Sequence, residues 1–494
     1  MTLAPAGHAS TRAGNVTDDC HVRANPTPQS EREPGDRKLM DDLADCEGCI
    51  KRGVKCGGYG VRIRWSSDIW GPRRKRAAKS KGRCPPAGGS PLNTAVALSV
   101  AISALGLPGE ESFYMKHYFQ NISRIALAID YDTNGYRSLL PMAMQEPAVL
   151  NAAIAVAASH YSRWQHTPDT VSRKYHRAAA KALHDRFMAR NNIHRQDILA
   201  TMLLLVSFEV FSGSSRWKEH FDAIRGWIRS RGNCSDLDPF LKTWVCLLDT
   251  QSSLNLGQPA MLELMPWLDA TTDASPQNES VDALFGCSSK LVKLMWMASQ
   301  LCTSSGQGPI TRQEVCTRAE SLQEQIRATA MMPGSKPMVE ISCQRYSQPL
   351  TAIGMEPEEL QRRVVSTAEI FRHSCHIYVY RIANGPEAAL TEELQESLRT
   401  AQDLLTMVPD ALGPGANLGW SLVVLGAEMD QVHEREYIES RLDGLHLLGL
   451  HNTKNGQKIL EEVWAHKELV MQGQAMPESW QDAMQRIGQS QILV

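Results

Sequence analysis

The amino-acid sequence predicts an all-α protein, and three observations carry that prediction. Apolar residues recur at three- and four-residue spacing through most of the chain after residue 111. Alternating strand patterns are scarce, and no glycine-rich turn links a strand to a helix. At 494 residues the chain can bury one large core and still carry appended segments.

The stripes place the helices in order. Pro147 suits a first turn, and Leu150, Ile154, Ala157 and Tyr161 follow on one face. Ile198, Met202, Leu205 and Val206 mark a second helix, with Asp197 expected as its cap. Trp217, Phe221, Ile224 and Ile228 repeat at steps of 4, 3 and 4, and Gly232 supplies a stop. A longer stripe runs through Val364, Ala368, Phe371, Cys375, Tyr378 and Ile382. Tyr437, Ile438, Leu442 and Leu445 make another, and Ile459, Leu460, Val463 and Trp464 the last. Residues Glu263–Asn278, Thr303–Ile310 and Met331–Met355 read as loops, because Pro, Gly and Ser are frequent there. Trp217, Trp227, Trp244 and Trp296 are expected in the core.

Ahead of the helical body, residues 1–45 are polar, without apolar period, and read as disordered. Residues 46–65 form a cysteine-rich basic unit, and 66–110 a linker, basic first and then Pro-, Gly- and Ala-rich. The body is expected over 111–494. The net charge of −2 hides an asymmetry: from Lys51 to Arg83 there are 12 Lys or Arg and one acid, giving +11 and leaving −13 elsewhere. Such a basic segment on an acidic body implies a polyanion partner or a nuclear-import signal. The uncharged stretch from Cys84 to Gly109 has an apolar heart of only 13 residues, Ala95 to Leu107, between Pro91 and Pro108. A membrane span needs about 20 residues, so a linker with a short helix is expected, and no membrane partner.

Cys46, Cys49 and Cys56 stand as C-x2-C-x6-C, and the other nine of the 12 cysteines are scattered without a disulfide framework. That usage points to a reducing, intracellular compartment. Two thiolates three residues apart can grip one metal from a tight turn, and tetrahedral zinc is the natural occupant. Lys51, Arg52 and Lys55 make the intervening loop basic, and Gly57-Gly58-Tyr59-Gly60-Val61-Arg62-Ile63-Arg64-Trp65 follows it.

This unit resembles the second half of a fungal Zn(2)-Cys(6) binuclear cluster. The first half is missing: Arg37-Lys38-Leu39-Met40-Asp41 resembles its end, with Met40 where its third cysteine belongs. A thioether is a poor substitute for a zinc-bound thiolate, and Cys20, 26 residues before Cys46, completes at best one four-ligand site. Zinc is therefore the implied cofactor, with doubtful occupancy. In the family the first half reads bases, so the resemblance gives Lys51, Arg52, Lys55, Arg62 and Arg64 contacts to the DNA backbone rather than base readout. Arg73-Arg74-Lys75-Arg76 reads as a nuclear localisation signal.

The helical body is separately similar to the fungal-specific transcription factor domain over about residues 111–470. The likeness rests on Tyr118-Phe119-Gln120-Asn121-Ile122 leading to Asp130, on Leu139-Leu140-Pro141-Met142-Ala143, and on Ala152 to His160. It continues in Trp217 to Arg225, Arg231-Gly232, Gly426-Ala427-Glu428, Arg435 to Ile438 and Val463-Trp464. The resemblance implies a nuclear, DNA-binding transcription regulator, of a kind that often controls metabolic or secondary-metabolite gene clusters. Partners would be DNA, transcription machinery or co-regulators, and a second copy through the helical domain. The alternative is an interaction protein that acts through its helices without binding DNA. Enzyme signals are weak: there is no Gly-x-Ser-x-Gly elbow, Walker loop or His-Glu-x-x-His helix. His373 and His376 flank Cys375 but point elsewhere around their helix. His160, His220 and His466 on amphipathic helices are expected to be satisfied core or surface histidines.

Overall fold

Helices that are apolar on every side must lie at the centre of a helical domain, and the sequence supplies several. In a computed structural model of the chain, the described residues are 106–493, except 131–133, 190–191, 273–279, 308–309, 333, 341–346, 350–354 and 412. They belong to one unit, Pro85–Val494. Helix α1 (Gly109–His117) passes through a π turn (Tyr118–Ile122) into a further helical turn (Ser123–Ile125). Short α2 (Gly135–Ser138) and α3 (Leu140–Gln145) precede α4 (Pro147–Trp164). Then come α5 (Ser172–Met188), α6 (Gln196–Ser212), α7 (Trp217–Arg231) and α8 (Pro239–Leu256). After α9 (Met265–Thr272), α10 (Ser289–Gln307) and α11 (Arg312–Arg327) comes the long α12 (Pro357–Asn384). The chain closes with α13 (Glu392–Met407), α14 (Gly419–Gly426), α15 (Val432–Leu447), α16 (Asn452–Met471) and α17 (Trp480–Arg486).

The body is all-α, as its periodicity requires. α6, α8 and α14 are buried along nearly their whole length, and α4 buries its Ala152–Ala158 run. Small alanines let neighbouring helices approach α4 closely, and α1, α5 and α6 all pack on it. α12 has 28 residues, about 42 Å at 1.5 Å per residue, and packs on α11, α13 and α14. Its stripe is in the core: Val364, Ala368, Phe371, Cys375 and Tyr378 are buried. Phe371 stacks on Trp420 at 6.4 Å between centroids, and Tyr378 meets the same indole edge-on at 5.7 Å. Trp217, Trp227, Trp244 and Trp296 are core residues.

Local chemistry fixes the ends. Pro147 opens α4 and Gly232, at φ 71°, closes α7, as the sequence indicates. Asp197 is not the cap of α6: Arg195 holds that position, and Asp197 sits inside the first turn. Its buried carboxylate is taken by Arg195 at 2.9 Å and by Arg186, so ion pairing, not N–H capping, explains the acid there.

Three loop expectations are corrected in part. Residues 262–272 are helical, because Leu264 and Leu268, one turn apart, are both fully buried. The expected loop Thr303–Ile310 is helical as far as Gln307. The region Met331–Met355 contributes two strands of a small sheet, in which β1 (Ser280–Asp282) runs parallel to β2 (Met338–Glu340) and β2 antiparallel to β3 (Ser347–Pro349). Three-residue strands are too short to show a period of two, so this sheet was not legible as a pattern.

Candidate functional site

The residues that the sequence singles out for metal and DNA lie outside the described residues. These are Cys46, Cys49 and Cys56, then Lys51, Arg52, Lys55, Arg62 and Arg64, and finally Arg73, Arg74, Lys75 and Arg76. Among the described residues, Cys234, Cys246, Cys287 and Cys375 are buried, and Cys302 and Cys316 are half-buried. No described helix is long and apolar enough to cross a membrane.

Within the helical domain, a cavity of about 990 Å³ opens between α12, α14, α16 and α17. Tyr378, Val463, Trp480 and Met484 give it apolar wall, and Arg381 and Glu428 give it a charged edge. Arg381 is fully engaged there. Its Nε and Nη2 donate to the two Glu428 carboxylate oxygens at 2.8 and 2.5 Å, and Nη1 donates to the Ala388 and Gly385 carbonyls at 2.5 and 3.1 Å. The space is of the size that holds a small organic molecule. A second groove, about 1010 Å³, runs past Glu146 and Asp197, whose carboxylates are already paired with Arg186 and Arg195.

A third feature could not be read from the sequence. His176 on α5, Glu209 in the last turn of α6 and His220 in the first turns of α7 converge, with ligand atoms all within 4.8 Å of one another. His176 Nε2 and His220 Nε2 stand 3.6 and 3.9 Å from the same Glu209 carboxylate oxygen. Both ring nitrogens are buried without a hydrogen-bond partner among the described residues. Burial pushes both imidazoles towards their neutral form, His220 down to about 4, against the opposing pull of Glu209. The expectation of a satisfied His220 is thereby corrected. His160 and His466 do find partners, the Leu448 and Met476 carbonyls at 2.8 Å each.

The trio is assembled by a turn rather than by a spacing motif. Gly213, at φ 73°, stops α6. Ser214 N–H donates to the Glu209 carbonyl at 3.0 Å and Gly213 N–H to that of Val210 at 2.9 Å. The chain then reverses into α7 and brings His220 back over Glu209. Any residue with a Cβ at 213 would adopt a strained φ and meet the Asn455 side chain at 3.0 Å and the His451 carbonyl at 3.1 Å.

Residues 113–494 match the family model described as the fungal specific transcription factor domain. A curated relative, the acriflavine sensitivity control protein acr-2 of Neurospora crassa, is 24% identical over 409 residues, covering 74% of this chain. The match takes in 64% of that relative's own length. No solved structure matches the chain.

Proposed function

We propose that this chain, which belongs to the fungal specific transcription factor domain family, is a nuclear regulator that binds DNA through its basic N-terminal segment. The helical domain is a regulatory and non-catalytic one. One observation carries the reading. A half-cluster of thiolates, Cys46 to Cys56, overlaps the +11 segment from Lys51 to Arg83, and both precede the family's domain at 113, in the order that a DNA-tethered regulator needs. Cys46, Cys49 and Cys56 would hold zinc of the Zn(2)-Cys(6) kind incompletely, and Lys51, Arg52, Lys55, Arg62 and Arg64 would meet phosphates. Arg73, Arg74, Lys75 and Arg76 would carry the chain into the nucleus. Genes of a metabolic cluster would be its targets.

Neutralised phosphates release counterions whatever the bases are. Full-length protein should therefore bind duplex with a log affinity that falls, per tenfold rise in salt, by roughly 0.9 for each phosphate contact. Changing Lys51, Arg52 and Lys55 together to Ala should weaken duplexes of differing sequence alike and flatten that slope, as read by fluorescence anisotropy across a salt series. A preference of roughly a thousandfold for one site would show that base readout exists, against the missing first half. No binding at low salt would favour the second reading, an interaction protein that works through its helices, for which the same missing half-cluster speaks.

Localisation tests the basic run separately. A fluorescently tagged full chain with Arg73, Arg74, Lys75 and Arg76 changed to Ala should move from nucleus to cytoplasm. Unchanged nuclear retention would place the import signal elsewhere.

A further inference from the structure

We propose that His176, Glu209 and His220 form a zinc(II) site inside the helical domain, joining α5 to the α6–α7 turn. The donor set is two imidazole nitrogens and one carboxylate oxygen, which suits zinc and leaves a fourth position for water. Bonds of about 2.0–2.1 Å set tetrahedral ligands roughly 3.3 Å apart. The observed nitrogen-to-oxygen edges of 3.6 and 3.9 Å exceed that spacing by about 0.3 and 0.6 Å, a closure within reach of small side-chain rotations. The same edges are too long for hydrogen bonds. Direct pairing of the three side chains therefore does not account for their convergence.

Burial sharpens the argument. Glu209 has a side chain only 7% exposed, and its carboxylate receives no hydrogen bond among the described residues. A buried carboxylate in that state is costly unless a cation meets it. At 3.6 and 3.9 Å the two imidazoles donate no hydrogen bond to it, and neutral imidazole is the form that ligates metal. Arg216 is the nearby positive group, and it is turned towards Glu219 at 3.8 Å with about half its side chain in solvent. A divalent ion placed between the three ligand atoms supplies the missing charge and partners both orphaned Nε2 atoms. The imidazoles are about a fifth exposed, 19% and 20%, so an ion can enter from solvent.

The frame around the trio is already rigid. The Asn455 and Gln491 side-chain amides donate to the Gly213 carbonyl at 3.0 and 3.2 Å, and Trp217 Nε1 donates to the Ser490 carbonyl at 2.7 Å. Glu209 and His220 are thus preset by the turn. His176, whose ring lies 4.6 Å from that of Phe208, is the ligand that arrives from a separate helix. Zinc here fixes the register of α5 against α6 and α7.

The test uses full-length protein with Cys20, Cys46, Cys49, Cys56 and Cys84 changed to Ser, so that the N-terminal thiolates contribute nothing. After chelation, zinc(II) should bind with one equivalent per chain and raise Tm. Cobalt(II) in the same protein should give visible d–d bands without thiolate charge-transfer absorption. His220→Ala and Glu209→Gln should each weaken zinc binding more than tenfold while far-UV circular dichroism stays unchanged. If either variant fails to fold, the zinc-dependent rise in Tm of the Cys→Ser parent and its cobalt spectrum still decide the matter. No stoichiometric zinc, a thiolate band with cobalt, or undiminished affinity in both folded variants overturns the proposal.

Discussion

Arg441 shows how a single buried charge can terminate a helix. Its side chain is 8% exposed, yet every guanidinium nitrogen is used. Nε donates to Asp410 at 2.8 Å, Nη1 to the Leu405 carbonyl at 2.5 Å and the Tyr437 hydroxyl at 3.1 Å, and Nη2 to the Val408 carbonyl at 2.6 Å. The two carbonyls lie at the C-terminal end of α13, where Leu405 also accepts from the Val408 N–H at 3.3 Å and a cation complements the helix dipole. Removing one partner of such an arrangement leaves the others desolvated and unpaired. Arg441→Ala should therefore destabilise the protein by about 3–5 kcal/mol, and Arg441→Lys should recover only part of it, since an ammonium cannot match the fork. Chemical denaturation midpoints of the three proteins check this. Equal midpoints for Arg441→Ala and the parent would mean that water replaces the guanidinium without cost.

At the scale of elements, legibility follows the length over which a pattern can repeat. The stripes of α7 and α12 extend over several turns, so periodicity alone placed them, and Gly232 marked the end of α7. The helical stretch 262–272 escaped because its signal is one buried pair, Leu264 just before α9 and Leu268 within it, set among Glu263, Pro266 and Asp269. Asp197 looked like a cap because acids favour helix starts for two reasons, N–H capping and charge pairing, and sequence does not separate them. The His176–Glu209–His220 trio was invisible for a stronger reason. Its members are 33 and 11 residues apart, on three helices, and only the reversal at Gly213 brings them together. Sequence spacing can point to a candidate metal site only when the would-be ligands lie close along the chain, as Cys46, Cys49 and Cys56 do. It is blind to a site built by packing.

The whole molecule carries a set of neutral, buried histidines, and their joint titration sets its response to acid. One chain of them defines its own tautomers. The Asn121 amide donates to His117 Nδ1 at 3.0 Å, so His117 carries its proton on Nε2 and donates to His160 Nδ1 at 2.9 Å. His160 then donates from Nε2 to the Leu448 carbonyl at 2.8 Å. A further proton would put two N–H groups head to head. Burial accordingly holds His117 down to about 4 and His160 to about 3, and elsewhere burial brings His373 to about 3 and His376 and His451 to about 4. Free histidine titrates near ~6.5. Below that pH the unfolded chain binds protons that the folded chain refuses. Stability is thus fully present above about pH 6.5 and is lost as pH falls towards 4. The buried carboxyls Asp249 and Asp410, both pushed up by burial, act in the opposite direction and only soften the loss. Each well-buried depressed histidine contributes roughly 1–2 kcal/mol of this loss by pH 5, half-exposed His451 less, and His117 and His160 each add a share because both take up a proton on unfolding. Tm should therefore stay level from pH 8 to 7 and drop steeply between 6.5 and 5, where ordinary carboxylates remain ionised. His160→Gln can still accept from His117 and donate to Leu448 without taking a proton, so its drop should be shallower even if its Tm at pH 7 is lower. A parallel fall in the two proteins would assign the acid response to other groups.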